Sequence, residues 1–135
     1  MIDIGQKPLT TKVALVTGGT SGIGKVTAEV LCENGASVVF VGRREEIGSE
    51  IEQSLQGKGY AAKFVQADLR AVSEVERVVE ETVATFGSLD VAFNNAGVFD
   101  SGVLFHEYDP SSWDDLIAAN LSSIFYCMRS EITAM

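Results

Sequence analysis

The stretch Thr17-Gly18-Gly19-Thr20-Ser21-Gly22-Ile23-Gly24 packs four glycines and three small hydroxyl residues into eight positions. The chemistry open to such a stretch is anion binding. Glycine takes backbone torsions closed to other residues, and it lets a bulky anion lie against main-chain N–H groups with no Cβ in the way. Residues 13–16 before it, Val-Ala-Leu-Val, carry no polar side chain to mark a wet face, which suits a strand buried on both sides. After it, Ile23, Val26, Val30 and Leu31 fall at helical spacing and Asn34-Gly35 makes a stop. A helix start therefore faces the glycine turn, with unpaired N–H donors and a partial positive charge suited to a pyrophosphate.

Two other clusters stand at the ends of apolar runs. Residues 37–41 form a second β-branched strand that closes on Gly42-Arg43-Arg44. Many dinucleotide sites place an acid here to bind both ribose hydroxyls, whereas an arginine accommodates a 2′-phosphate. With Gly42 at the acidic position and two guanidiniums after it, NADP is the expected cofactor and NAD the second choice. The pair would also serve as a solvated opening to the next helix, beside Glu45 and Glu46. The other cluster, Asn94-Asn95-Ala96-Gly97, follows an apolar strand over residues 89–93. Two amides and a small pair suit a place where side chains tie strands together while the backbone passes close to a ligand.

The Thr-Gly-x-x-x-Gly-x-Gly turn after the first strand and Asn-Asn-Ala-Gly after the fourth resemble the two signatures of the short-chain dehydrogenase/reductase family, in the right order and context. The likeness covers nearly the whole chain but only the first half of the family fold. It implies an oxidoreductase passing hydride between a nicotinamide and a small-molecule carbonyl or secondary alcohol. It assigns cofactor contacts to Gly18, Thr20, Ser21, Gly22, Ile23, Gly24, Arg43, Arg44, Asp68, Leu69, Asn95, Ala96 and Gly97. Asp68-Leu69 matches the acid-aliphatic pair that receives the adenine amino group, though an aspartate before a helix is equally an ordinary loop residue. Ala118-Ala119-Asn120-Leu121 matches the pattern whose Asn acts in catalysis, its backbone carbonyl holding a water of the proton relay. Asn120 would otherwise be a plain polar helix residue.

The elements that must position these residues alternate strand and helix. Residues 45–57 suit an exposed helix with a thin stripe of Ile47, Ile51 and Leu55, and residues 61–67 suit a less apolar strand near a sheet edge. Ser73-Glu74-Val75-Glu76 has the form of a capping box, followed by a Val75, Val78, Val79, Val83, Phe86 face that ends at Gly87. Asp109-Pro110 opens a long helix with Trp113, Leu116, Ile117, Leu121, Ile124, Phe125 and Met128 on its apolar side. The expected fold is α/β, a Rossmann-type doubly wound parallel sheet in the order 3-2-1-4, truncated after about four strands. The fifth and later strands would be missing from a single domain over residues 1–135.

Composition agrees with this class. A chain of 135 residues, 46% hydrophobic, holds one domain with a real core. Net charge −9 and a pI near 4.5 argue against nucleic acid. Residues 1–12 read as neither signal peptide nor anchor, and no window reaches the roughly 20 apolar residues of a membrane span. Cys32 and Cys127, each in a predicted helix, read as buried thiols in a cytoplasmic protein. His106, the single histidine, lacks partners for a metal site, so no metal is expected.

The family's acid/base pair, a tyrosine followed four residues later by lysine, is absent. Four residues beyond Tyr60, Tyr108 and Tyr126 stand Phe64, Ser112 and Ser130, and the last lysine is Lys63. The chain alone is therefore expected to be inactive, the cofactor half of a larger enzyme. The alternative is a non-catalytic nucleotide-binding or partner-binding module. A fourth strand left at the sheet edge would invite pairing, so a homo-oligomer is expected.

Overall fold

The computed structural model describes residues 7–99 and 102–135. Four parallel strands form one sheet in the order β3-β2-β1-β4: β1 (Val13–Thr17), β2 (Ser37–Gly42), β3 (Ala62–Gln66) and β4 (Val91–Asn94). The α/β topology and strand order are those expected. Strand β1 is buried along its whole length because its alternate side chains enter different cores. Ala14 and Val16 join Val38, Phe40 and Phe64 beneath α1 (Gly22–Glu33) and α2 (Glu45–Gly57). Leu15 joins Val39, Val41 and Val65 on the opposite face, beneath α3 (Val72–Phe86). Helices therefore cover both faces, which is why the strands read as unbroken apolar runs.

Beyond β4, a 3-10 turn (Phe105–Glu107) precedes α4 (Pro110–Ile117), a π-helical segment (Ala118–Ser122) and α5 (Ser123–Ala134). The predicted opening at Asp109 is present: its carboxylate accepts from the Ser111 N–H at 2.7 Å, and Pro110 follows. The π segment was not foreseen. Cys32 and Cys127 are both buried, and burial pushes their thiols up to about 11 and about 12.

Four local expectations need correction. Helix α1 turns Gly24, Ala28 and Cys32 to the sheet and leaves Ile23 72% exposed, with Val26 and Val30 open as well. Gly24 is small because the helix start lies close against the glycine turn, while Ala28 and Cys32 pack into the core on the sheet. Helix α3 starts at Val72 with Ala71 as its N-cap and no side-chain cap bond, so Ser73 lies inside the first turn and the capping box does not form. Strand β4 begins two residues later than predicted: the Asp90 carboxylate takes the Val13 N–H at 2.9 Å, and the ladder starts only after it. Phe125 on α5 is 63% exposed, and Met128 on α5 and Leu121 in the π segment are exposed too, so the foreseen apolar side is only partly covered.

Candidate functional site

The carboxyl ends of β1, β2, β3 and β4 open into one cleft of about 450 Å³. Its floor is built by a hydroxyl that sequence reading gave no role. Thr17, at the end of β1, is buried, and its Oγ1 accepts from the backbone N–H groups of Asn95 and Ala96 at 3.0 Å each. Asn95 returns the tie, its Nδ2 donating to the Thr17 carbonyl at 3.2 Å and more weakly to that of Gly18 at 3.4 Å. The expected linkage of neighbouring strands by an amide is thus present.

Against this tie Gly18 and Gly24 leave no room for side chains. Gly18 has φ +66°, and a Cβ on Gly24 would lie 2.2 Å from the Gly18 carbonyl oxygen. Helix α1 can start under the turn only because both residues lack a side chain. Its N-cap, Ser21, has extended backbone and makes no side-chain cap bond, so the first-turn N–H groups keep the lone donors of a helix start. That is a cradle suited to a phosphate.

At the end of β2, Gly42 has a second reason to be glycine. A Cβ there would fall 2.5 Å from Thr20 Cγ2 and 2.7 Å from Thr20 Oγ1, so Thr20 occupies the space an acidic residue would need. Arg43 and Arg44 line the cleft beyond it, and among the described residues neither has a carboxylate partner at salt-bridge distance. Gln66 fixes the local backbone by donating to the Arg43 carbonyl at 3.0 Å. Asp68 is less open than its place suggests. Arg70 grips it through Nη2 at 2.6 Å and Nε at 3.0 Å, and this pairing holds the carboxyl below the usual aspartate range. Arg70 also reaches Asp115 on α4 at 3.7 Å, which places it across the mouth of the cleft.

Of the expected cofactor residues, Gly18, Thr20, Ser21, Arg43, Arg44, Asp68, Leu69, Asn95, Ala96 and Gly97 line this one cleft. Gly22, Ile23 and Gly24 do not line it with side chains: they form the first turn of α1, with Gly24 buried beneath Gly18. Asn120 sits in the π segment, and its side chain is engaged elsewhere. Its Oδ1 accepts from the Val98 N–H and its Nδ2 donates to the Val98 carbonyl, both at 2.7 Å. The carboxamide thus pins the start of the loop after β4, and any part in a proton relay falls to the backbone. π turns of this kind frequently mark functional sites. Ala119 and Ser123, which flank Asn120, also line the cleft and were not foreseen. The Ser123 hydroxyl donates to the Ala119 carbonyl at 2.7 Å. His106 lies in the exposed 3-10 turn.

A family profile described as short chain dehydrogenase matches residues 12–135. A 3beta-hydroxysteroid dehydrogenase of Mediterraneibacter gnavus is 38% identical over 92% of this chain and 45% of its own length. An A-factor type gamma-butyrolactone 1'-reductase of Streptomyces virginiae is 38% identical over 96% of this chain and 51% of its own. Among solved structures, a metagenomic short-chain oxidoreductase in complex with NADP is 35% identical with a TM-score of 0.88, over 94% of this chain and 57% of that one. The chain spans about half the length of the curated relatives it matches.

Proposed function

Because this chain belongs to the short-chain dehydrogenase family, we propose that it supplies the cofactor-binding half of an NADP-dependent oxidoreductase. The activity would be hydride transfer between the nicotinamide and a small-molecule carbonyl or secondary alcohol. The observation that carries the cofactor choice is the Gly42-Arg43-Arg44 rim on the same cleft as the glycine turn, with Thr20 filling the place of an acid. A relative solved with NADP supports it.

When bound, NADP supplies the hydride chemistry, and this chain holds and orients it. The N–H groups of Gly22, Ile23 and Gly24, with Gly18, Thr20 and Ser21, would face the pyrophosphate. Arg43 and Arg44 would hold the 2′-phosphate by charge-assisted hydrogen bonds. Asp68 and Leu69 would border the adenine, with Arg70 sharing the carboxylate, and Asn95, Ala96 and Gly97 would flank the cofactor on the β4 side. The Asn120 carbonyl would hold a relay water. Proton transfer itself would fall to residues outside this sequence. We place the protein in the cytoplasm, in keeping with its two free buried thiols, and as a homo-oligomer, in keeping with β4 at the sheet edge. Among the described residues no helix is long and apolar enough to cross a membrane.

Calorimetric titration with NADP⁺ and NAD⁺ tests the reading. NADP⁺ should bind more tightly. Arg43→Ala should lower its affinity by about tenfold, the worth of a hydrogen bond to a charged group, with little change for NAD⁺. Equal losses for both cofactors would refute the 2′-phosphate role.

A further inference from the structure

Away from the cofactor cleft, α5 carries a carboxyl that the proposed chemistry does not use. Glu131 is 2% exposed. One of its oxygens, Oε2, accepts from Asn94 Nδ2 at 2.7 Å, joining the helix to the last residue of β4. Each group has one other polar atom, Glu131 Oε1 and Asn94 Oδ1. Both are buried, and among the described residues neither has a hydrogen-bond partner. Both are acceptors if the acid is ionised, so neither can serve the other. Exchanging the amide oxygen and nitrogen of Asn94 does not help, because one acceptor on each group still lacks a donor.

We infer that Glu131 is a neutral acid and forms a cyclic pair with Asn94, in which Asn94 Nδ2 donates to Glu131 Oε2 and the Glu131 Oε1–H donates to Asn94 Oδ1. A carboxylic acid and a primary amide each present one donor and one acceptor in a plane, and the pairing satisfies all four atoms. One added proton removes both unsatisfied acceptors, which buried groups ordinarily avoid.

The surroundings favour the neutral form. Burial raises the Glu131 carboxyl above the usual glutamate range, and the Asn94 hydrogen bond only partly offsets this. Among the described residues no cation stands against it. The titratable group coupled to it is the buried Cys127 thiol on its own helix. From β4 it meets the neutral Asn94. On α3, which packs against α5, Val79, Val83 and Phe86 join the core around Cys127. The charged groups of α3 are directed elsewhere: Glu76 and Glu80 are exposed, while Glu74 and Glu81 pair with Arg77.

The pair makes Glu131 a positioning residue. It holds the end of β4, and the next residue, Asn95, begins the cleft wall. This inference does not depend on which cofactor binds. In the chain labelled isotopically at glutamate, NMR should show one side-chain carboxyl still protonated at neutral pH, and that signal should vanish in Glu131→Gln. Denaturation midpoints give a second reading. Wild type should lose stability as pH rises through the folded-state pKa of Glu131. Glu131→Gln, whose amide keeps both hydrogen bonds without a proton, should match wild type in mild acid and show no such loss. Glu131→Ala should be less stable at every pH. An ionised Glu131 at neutral pH overturns the inference, as does a Glu131→Gln chain no more stable than Glu131→Ala.

Discussion

Where β1 meets β4, the Thr17 hydroxyl serves two backbone donors, and the Ala96 N–H has no other acceptor among the described residues. Thr17→Val keeps the shape and removes the acceptor, leaving the half-buried Ala96 N–H unpaired, since Asn95 N–H still has the Phe93 carbonyl at 3.1 Å, at a cost of about 1 kcal/mol, while Thr17→Ser should keep most of the stability. Urea denaturation checks this: a Val variant as stable as wild type would mean that the tie does not matter. Thr17 was legible as the first letter of a motif. Its structural task was not, because its partners lie 78 and 79 positions away. The same limit hid the contact between Thr20 and Gly42, although the arginines beyond it could be read directly. That contact leads to a second expectation. Gly42→Asp alone should weaken NADP⁺ without creating a NAD⁺ site, since its Cβ meets Thr20, and adding Thr20→Ala should open room for NAD⁺. NAD⁺ titration of both variants decides: a gain in Gly42→Asp alone as large as in the double variant counts against the steric reading.

Secondary structure was readable wherever periodicity and punctuation agreed. Helix α2 has the predicted bounds, and Gly87 ends α3 in the left-handed region with its N–H on the Val83 carbonyl at 2.7 Å. Periodicity failed on α1, where the larger aliphatics formed the more conspicuous stripe. The packed stripe is Gly24, Ala28, Cys32: Gly24 lies against the turn, and Ala28 and Cys32 join the core on the sheet, where small side chains rather than apolar area meet the strands. Pattern rules weigh hydrophobicity and are blind to the distance a contact demands. The hold of Asn120 on Val98 escaped for a related reason, since it joins residues 22 apart across a loop. The close approach of α1 carries its own test. Gly24→Ala places a methyl 2.2 Å from the Gly18 carbonyl oxygen and 2.5 Å from Asn95 Nδ2, with backbone on one side that cannot yield cheaply. A loss of about 3 kcal/mol in equilibrium unfolding is expected, in the range for overpacking. An unchanged midpoint would show that the turn can open.

Taken as a whole, the molecule should have two pH limbs of different origin. Asp68, Glu74, Asp90 and Asp109 are all held below their ordinary ranges, chiefly by hydrogen bonds from Arg70, Arg77, Val13 N–H and Ser111. Groups lowered by folding add stability above their unfolded pKa values, and that stability is lost as pH falls through the folded ones. Glu131 has the opposite sign: raised by folding, it adds stability below its unfolded pKa that is lost as pH rises through its folded one. The two limbs also differ in exposure. The Arg70–Asp68 and Arg77–Glu74 pairs lie at the surface, where molar salt shortens the screening length to about 3 Å, whereas the Glu131–Asn94 contact is dry. Salt also relieves the repulsion of a chain with net charge −9, so it is the shape of each limb rather than its height that discriminates. Thermal unfolding across pH in dilute buffer and in molar sodium chloride should show an acid limb flattened by salt and an alkaline limb unchanged. Equal flattening of both would mean that the limb at rising pH comes from surface charge rather than from the groups that burial raises, Glu131 first and the Cys32 and Cys127 thiols at higher pH.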